Sequence, residues 1–372
     1  RSSFRPAMPP DVAASTGLDI LSHAVESFTA IPYTSRPAPE LCIDIEAAAA
    51  TIARAQRASG EIPWGDGQKT DPWDHVECAM GLAVGGSLPE ARRAFEWLAG
   101  IQLEDGSWYS AYVQGRPSDR TRDANMSAYV AVGAYHHYLV TRDAAFLATL
   151  WPTVAAAVDF ALSLQAPQGE IHWAVSPAGQ VDRMALLTGS SSVFMSIKCA
   201  LAIAQVLGRS RPGWESAMEK LGAAIRSKPH LFNMTKSRFS MDWFYPVLAG
   251  AVTGPEAERR IERGWRKFVV EGLGVRCVSD QPWVTIAETS ELALALAGMG
   301  RRDQARIVFS WISDRRFDDG SYWAGFTVPD LQLWPEEKFT WTSAGVLLAA
   351  DAIFALTPAA RLFSHRDWSR TL

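Results

Sequence analysis

A repeated pattern of amphipathic helices constrains the fold of this chain more than any other feature. From Asp44 onward, apolar residues recur at the i, i+3, i+4 and i+7 spacing of helices, as in "AYVAVGAYHHYLV" and "SELALALAGM". We predict about twelve helices, beginning near Asp44, Asp74, Pro89, Asp123, Asp143, Ser191, Gly213, Ser240, Pro255, Thr285, Arg301 and Thr340. Strand-like alternation is scarce, so the sequence predicts an all-α fold.

A weak internal repeat indicates how these helices are arranged. The segments Gln56–Trp64, Gln102–Trp108 and Gln165–Trp173 share one form, a helix end followed by a glycine and a tryptophan, and Asp318–Trp323 is a partial copy. Glycine suits the left-handed residue after a helix, so each tryptophan falls in a loop at one end of a helical hairpin. Repeated hairpins of this size predict an (α/α)6 toroid with inner and outer helices. Alternate loops then share one rim, where the tryptophans either line a cavity or pack against their own helix ends.

Composition limits the classes of partner and compartment. The 372 residues are 48% hydrophobic and carry a net charge of −4 without a basic stripe, so we expect no nucleic acid partner. No uninterrupted apolar run reaches the ~18 residues of a membrane helix, and the N-terminus lacks the form of a signal peptide. We therefore expect a cytoplasmic protein without a membrane partner, with reduced thiols. The cysteines are far apart in the sequence: Cys42, Cys78, Cys199 and Cys277.

Two acid-rich segments stand out from their apolar surroundings. "TDPWDHVE" (Thr70–Glu77) and "SDQPWVTIAETSE" (Ser279–Glu291) both lie where a loop enters a helix. A glycoside hydrolase needs two carboxylates that face each other across a sugar, together with aromatic platforms. Asp74 and Glu288 are each near a helix start and have a tryptophan nearby, where a charge costs free energy unless it has a partner or a function. We predict that Glu288 is the general acid and Asp74 the general base, with inversion.

Other aromatic and polar residues at such junctions are candidates to bind the substrate. They are Trp64, Asp71, Trp73, His75, Trp108, Tyr109, Asp123, Asn125, Trp173, Asp242, Tyr245, Trp283 and Trp323, and Glu170 is a further polar candidate. Structural alternatives remain open for several acids and for one histidine. Asp71 and Asp123 suit helix caps, and His75 suits a hydrogen-bonded packing role. Glu77 suits a solvated helix face, and Glu291 suits a structural role beside Glu288.

Two other functions fit a toroid. "FEWLAGIQLEDGSW" resembles the repeat of triterpene cyclases, but the Asp-x-Asp-Asp acid of those enzymes is absent. Cys277 lacks the neighbours of a prenyltransferase zinc site, and the Asp-rich motifs that bind diphosphate are also absent. A non-catalytic glycan-binding toroid would keep the aromatic residues and need no opposed acids. We expect neither a metal nor a cofactor.

The N-terminal segment carries a separate resemblance. Pro9–Glu40, with "TGLDILSHAVES", resembles part of the iron-dependent alcohol dehydrogenases of the hydroxyacid–oxoacid transhydrogenase branch. Asp19 and His23, at i and i+4, match metal ligands of that family. The later histidine pair and the dinucleotide-binding half have no match here. We therefore interpret residues 1–40 as an extension without function and residues 41–372 as the catalytic domain.

The region from Glu40 to Phe363 resembles the methylmannose polysaccharide hydrolases. The motifs that carry the resemblance include "TDPWDHVECAM", "DANMSAYVAVGAYHH", "DWFYPVLAGA" and "VSDQPWVTIAETSELALAL". The resemblance implies a six-hairpin glycosidase-like toroid and an intracellular endo-α-mannosidase. Its implied partner is a polysaccharide or oligosaccharide of α-1,4-linked 3-O-methylmannose. The catalytic carboxylates of the family fall on Asp74 and Glu288. The oligomeric state does not follow from the sequence.

Overall fold

The structure is a computed structural model that describes residues 43–368. The segment that resembles alcohol dehydrogenases, with Asp19 and His23, lies outside the described residues, as does Cys42. The described cysteines, Cys78, Cys199 and Cys277, are free thiols.

Helices dominate the described chain. In order they are α1 (Ile45–Ala55), α2 (Pro72–Val84), α3 (Leu88–Gly100), α4 (Ala124–Ala128), α5 (Val130–Thr141), α6 (Ala144–Ser163), α7 (Leu187–Val206), α8 (Pro212–Ser227), α9 (Ser240–Leu248), α10 (Gly254–Phe268), α11 (Ile286–Gly298), α12 (Arg302–Ser310), α13 (Thr340–Phe354) and α14 (His365–Trp368). Two 3₁₀ turns, Pro229–Leu231 and Met234–Arg238, precede α9.

The helices form two concentric rings. The inner helix α2 packs against the broken helix α4–α5, and the inner ring continues through α7, α9 and α11 to α13, which packs against α2 and closes it. The outer helices α1, α3, α6, α8, α10 and α12 alternate with the inner ones along the chain. The core fills the space between the rings, where Val76 of α2 and Phe95 of α3 meet Gly133 of α5. The prediction of an (α/α)6 toroid is confirmed.

Acidic caps fix several of the helix starts. Asp44 accepts a hydrogen bond from the Ala47 N–H, and Asp143 accepts one from the Phe146 N–H. The largest error in the predicted starts is at α7, predicted near Ser191 but beginning at Leu187. Gly and Ser have weak helix propensity, and four of them stand in the first turns of α7. Packing in the inner ring makes this segment helical in spite of its composition.

Short antiparallel strands lie in the loops between the helices. β1 (Ala111–Val113) pairs with β2 (Arg116–Asp119). A second sheet has the order β3 (Arg122–Asp123), β4 (His172–Val175) and β5 (Val181–Ala185). A third sheet has the order β6 (Val269–Val270), β7 (Gly274–Arg276), β8 (Trp283–Thr285) and β9 (Gly325–Thr327), with Thr285 of β8 opposite Gly325 of β9.

The two rims of the toroid differ in loop length. Connections from an inner helix to the next outer helix are short, such as residues 142–143 between α5 and α6. Connections from an outer helix to the next inner helix are long, such as residues 101–123 and 311–339, and they hold all of the described strands. Long loops on a rigid scaffold commonly carry function. The rim where the inner helices begin is therefore the expected location of the functional site.

The repeated glutamine and glycine have a structural role. Gln102 donates from one amide nitrogen to the Gly106 carbonyl of its own loop and to the Thr153 carbonyl of α6. Gln165 makes the same pair of bonds to the Gly169 and Ala217 carbonyls. Gly106 has a φ of +87°, and a Cβ there would lie 2.2 Å from the Ala156 carbonyl oxygen. Only glycine fits this approach, so the repeat seats each loop on the following outer helix.

Two helices combine length with high hydropathy. Ala144–Ser163 (α6) and Leu187–Val206 (α7) contain 18-residue windows of mean hydropathy 1.6 and 1.4, enough by length and composition to cross a membrane. In the described fold these windows are 56% and 83% buried. Buried core helices of soluble proteins pass the same test, so the pattern is weak evidence for a membrane span.

Candidate active site

The candidate residues gather at one end of the inner ring. Asp74 lies in the first turn of α2, Asp242 in the first turn of α9 and Glu288 in the first turn of α11. Inner and outer helices alternate in direction along the chain, so the N-terminal ends of the inner helices share the rim of long loops. Residues that are far apart in the sequence are thereby brought to one end of the toroid.

Asp71 caps the helix that carries the first acids. One carboxylate oxygen accepts from the Asp74 N–H at 2.9 Å, and the other accepts from the Trp64 ring N–H at 2.8 Å. Pro72 occupies the first helical position, where its missing N–H costs nothing. The interpretation of Asp71 as a helix cap is confirmed. The same carboxylate holds the Trp64 ring beside α2.

Glu77 lies one turn below Asp74 and is held by two aromatic side chains. One of its carboxylate oxygens accepts from the Trp73 ring N–H at 2.8 Å and from the Tyr129 hydroxyl at 3.2 Å. Burial raises the pKa of Glu77 to about 7, although these two hydrogen bonds oppose the shift. Glu77 faces the interior of the site, so the alternative interpretation of Glu77 as a residue on a solvated helix face is wrong.

Asp74 has the same electrostatic character. Burial is the largest cause, and the negative charges of Asp71 and Glu77 add to it, so the pKa of Asp74 is held well above its ordinary value. Like charges that share a buried site cannot all ionise at once, because each ionised group disfavours the charge on its neighbours.

The second pair of acids lies on α11. Glu288 and Glu291 are three residues apart and therefore share a helical face. Burial, then the charges of Glu77 and Glu288, raise the pKa of Glu291 well above its ordinary value. The Cys277 thiol lies against Glu288, and burial followed by that charge raises the pKa of Cys277. The acids of α2 and α11 therefore share one electrostatic environment.

Two tyrosines link these acid pairs. The Trp73 ring centroid lies 5.5 Å from that of Tyr129 and 5.7 Å from that of Tyr245. Burial raises the pKa of both tyrosines well above the ordinary value, and the charges of Glu77 and Glu291 act in the same direction. The floor of the site is thus a cluster of half-buried carboxyl groups and buried phenol groups beside an indole.

A cavity of about 120 Å³ adjoins this cluster at Trp73. It is lined by Trp73, Asp123, Ala124, Asn125, Met126, Ile171, Trp173, Leu186, Thr188, Gly189, Ser190 and Val193. Asp123 also caps α4, accepting from the Asn125 N–H at 2.7 Å and the Met126 N–H at 3.0 Å. Burial raises the pKa of Asp123 to about 6. Three predicted binding residues, Asp123, Asn125 and Trp173, are therefore brought together with Trp73.

Asp242 links two neighbouring inner helices at the rim. Asp242 accepts from the Thr188 N–H at 3.2 Å and from its hydroxyl at 2.7 Å, which joins the starts of α9 and α7. Burial raises the pKa of Asp242, while the bonds from Thr188 oppose the shift. Asp242 thus positions one wall of the cavity.

Two predicted binding residues belong to the core instead. His75 is 1% exposed, accepts at Nδ1 from the Ile62 N–H and donates from Nε2 to the Ala94 carbonyl. Trp108 is 1% exposed and donates its ring N–H to the Leu98 carbonyl at 2.8 Å. The alternative interpretations are therefore confirmed: His75 has a hydrogen-bonded packing role, and Trp108 packs against the end of its own helix.

The remaining predicted aromatics lie in the loops. Trp283 donates its ring N–H to the Trp334 carbonyl at 2.7 Å, and the rings of this pair meet edge to face at 5.1 Å. The Tyr109 ring lies under the Arg120 guanidinium, and the Trp323 ring contacts Phe326. The structure shows no direct contact of Tyr109 or Trp323 with the acid cluster in the described residues.

Three aromatic residues that pack against predicted binding residues were not predicted from the sequence: Tyr129, Trp334 and Trp341. Tyr129 stands four residues after Asn125 in "DANMSAY", a spacing that places both on one helical face and could have revealed it. Trp341 follows the start of α13 and packs against Trp64 at 5.8 Å. Glu170 lies next to Gly169 and outside the residues that line the cavity. Between residues 43 and 368, no three His, Cys, Asp or Glu side chains form a group suited to a metal ion.

Acids at the starts of inner helices, with tryptophans and tyrosines around them, are the groups that glycoside hydrolysis on a toroid needs. Solved structures share the fold. One is a GH63 mannosylglycerate hydrolase from Thermus thermophilus in complex with Tris (TM-score 0.65, 12% identity, 82% of this chain and 99% of that one). Another is a glycosidase variant in complex with glucose (TM-score 0.63, 18% identity, 86% of this chain and 97% of that one). Identities this low show the fold alone.

Sequence comparison defines the family. The chain is 49% identical over 334 residues to the MMP endo-(1,4)-3-O-methyl-alpha-D-mannosidase of Mycolicibacterium hassiacum, covering 90% of this chain and 92% of that protein. The chain therefore belongs to the family of this endo-mannosidase and is a glycoside hydrolase, as predicted. No family model matches the chain. The comparisons do not support the resemblance of Pro9–Glu40 to alcohol dehydrogenases.

Proposed function

We propose that this protein hydrolyses internal α-1,4 bonds of chains of 3-O-methylmannose. The observation that carries the proposal is the 49% identity, over 90% of this chain, to a protein named for that activity. The acid cluster at the rim of long loops supports it, because glycoside hydrolysis needs two carboxyl groups on either side of the scissile bond.

We assign Asp74 as the general acid. Burial and the charges of Asp71 and Glu77 raise its pKa, so Asp74 keeps its proton where an ordinary aspartate has lost it. A protonated carboxyl is what the leaving glycosidic oxygen requires. Glu288 is then the general base that activates water. This order is the reverse of the one predicted from the sequence, which shows Asp71 and Glu77 beside Asp74 but not the burial that is the largest cause of its raised pKa.

Hydrolysis then takes place in a single displacement. The oxygen of a water molecule attacks the anomeric carbon while Glu288 takes a proton from that water. The bond between the anomeric carbon and the glycosidic oxygen breaks, and Asp74 gives its proton to that oxygen. The configuration at the anomeric carbon inverts, so an α-linked chain releases a β-anomer.

Product analysis with defined oligosaccharides tests the proposal. The purified protein is incubated with α-1,4-mannooligosaccharides that carry or lack 3-O-methyl groups, and the products are separated by size. We expect the methylated chain to be cut internally into intermediate lengths. Release of single terminal sugars only would contradict the endo mode, and intact chains at high enzyme concentration would contradict hydrolysis.

A further inference from the structure

The cavity beside Trp73 is too small to hold a whole oligosaccharide. Its volume of about 120 Å³ is below the roughly 300–1,000 Å³ typical of complete ligand pockets. Trp73 lines it and also donates to Glu77 of the acid cluster. The cavity therefore suits one edge of a sugar whose neighbouring bond lies at the acids.

The lining of the cavity combines an apolar wall with a few unsatisfied polar atoms. Met126, Ile171, Leu186 and Val193 supply apolar surface. The Asn125 side-chain oxygen and the Ser190 hydroxyl are buried without a hydrogen-bond partner, in residues that are 5% and 2% exposed. Buried polar atoms that lack partners are rare in proteins, and a ligand is one way to satisfy them.

We propose that this cavity is the methyl-recognition pocket, which takes the 3-O-methyl group of one mannose unit against its apolar wall. A neighbouring hydroxyl of the same sugar then donates a hydrogen bond to the Asn125 side-chain oxygen, or forms a hydrogen bond with the Ser190 hydroxyl. The assignment rests on the proposed function for the identity of the sugar. It adds the residues that distinguish a methylated chain from an unmethylated one.

The chemistry of the methoxy group fits this lining. The ether oxygen has no proton to donate, and moving the methyl group from water into an apolar pocket lowers the free energy. A free hydroxyl in the same place would leave a buried donor without a partner beside Met126 and Val193. One methyl-sized group in an apolar pocket typically changes selectivity by roughly 10–200-fold.

Gly189 allows the pocket to be filled without strain. A Cβ built there would lie 3.6 Å from the Asn125 Cβ and 3.7 Å from the Leu186 Cβ, which is ordinary contact. Gly189→Ala therefore adds one methyl group inside the pocket and favours the helix α7. Gly213→Ala is the matched control, because Gly213 also lies in a first helical turn and its Cβ would meet nothing within 4 Å.

Met126→Gln tests the apolar wall independently, because it keeps the length of the side chain and makes its end polar. Met299→Gln is its control, a similarly half-buried methionine that lines a different cavity. Thermal unfolding of each variant shows whether the fold persists. The two pocket variants probe shape and polarity separately, so failure of one to fold leaves the other as the test.

The probes are methyl 3-O-methyl-α-D-mannopyranoside and methyl α-D-mannopyranoside, which contain no internal bond to hydrolyse. We expect the wild-type protein to bind the methylated probe more tightly, with Kd values measured by NMR titration. Gly189→Ala and Met126→Gln should reduce this preference about tenfold, while both control variants keep it. An unchanged preference in the folded pocket variants would overturn the pocket assignment. Selective binding without cleavage of longer chains would overturn only the proposed hydrolysis.

Discussion

At the scale of single residues, the site is a cluster of half-buried acids whose pKa values are raised. Asp74, Glu77 and Glu291 all have raised pKa values, and burial is the largest cause for each. Catalytic acids and bases are commonly made from carboxyl groups whose environments move their pKa values apart. Glu77 lies one turn below Asp74, where its charge helps to raise the pKa of Asp74, and Glu291 lies one turn below Glu288.

Glu77 gives a pH-dependent prediction for stability. Its pKa is about 7 in the folded protein and 4.5 as an ordinary glutamate, so its favourable contribution is present below pH 4.5 and is lost as the pH rises through 7. Glu77→Gln removes this loss and still offers an oxygen to Trp73 and Tyr129. We expect the variant to raise Tm relative to wild type more at pH 8 than at pH 5.

The exposed Glu219 on α8 provides the matched control. Glu219→Gln should shift Tm by a similar small amount at both pH values, because its carboxylate is solvated in both states. An equal effect of Glu77→Gln at pH 5 and pH 8 would show that the Glu77 carboxyl carries no unusual proton affinity.

Trp173 and Trp108 should respond differently to truncation. Trp108→Ala leaves a cavity in the core and should cost about 3–5 kcal/mol of folding free energy. Trp173→Ala removes a wall of the substrate cavity, so we expect a higher KM with a much smaller loss of stability. Chemical denaturation and kinetics on the methylated oligosaccharide separate the two effects, and a Trp173→Ala variant that merely unfolds would return that residue to the core.

Single residues could be predicted from the sequence where their neighbours along the chain decide their role. Asp71 as a cap follows from its place before Pro72 and a helix, and the structure agrees. For His75 and Trp108 the sequence left a packing role and a binding role open, because the choice depends on their partners, Ala94 and Leu98, in an outer helix. The proton affinity of Asp74 was likewise hidden, since it depends on burial.

At the scale of elements, the glutamine–glycine loops connect each hairpin to the next. Gln102→Ala removes two hydrogen bonds to carbonyl groups at the junction with α6. We expect a loss of about 1–3 kcal/mol in folding free energy, with kcat almost unchanged, measured by urea denaturation. Gln180→Ala, in an exposed turn, is the control. Equal stability of the two variants would contradict the structural role of the repeat.

The helices were predictable and the strands were not, for a physical reason. A helix such as α11 repeats its apolar face over several turns, so the period is visible in the sequence. The strands β3 and β6 span two residues each, too few to show any alternation. β3 forms because its loop runs beside the next long loop, which carries β4, whereas β6 pairs with β7 within its own loop.

At the scale of the whole molecule, ring closure assembles the site. Asp74 and Glu288 are remote in the sequence, yet α2 and α11 both pack against α13. The helical repeat predicted the closure, but no sequence pattern indicated the mutual influence of Glu77 and Glu291. That influence depends on which faces of α2 and α11 turn inward.

The stereochemistry of the product tests how this assembly works. If Asp74 and Glu288 act together through water, the first product formed should be the β-anomer. Proton NMR of the anomeric region in the first minutes of reaction distinguishes it from the α-anomer before mutarotation. An initial α-anomer would require a covalent intermediate and make one of the two carboxylates a nucleophile.

Turnover of Asp74→Asn and Glu288→Gln on the methylated oligosaccharide tests whether these two acids catalyse the hydrolysis. Both changes keep the shape of the side chain and remove the carboxyl chemistry, so kcat should fall by ~10²–10⁴-fold in each while Tm stays close to that of the wild type. Asp303→Asn and Glu219→Gln, on exposed faces of outer helices, should retain full activity. Near wild-type turnover in a folded Asp74→Asn or Glu288→Gln variant would contradict the assignment of these two acids.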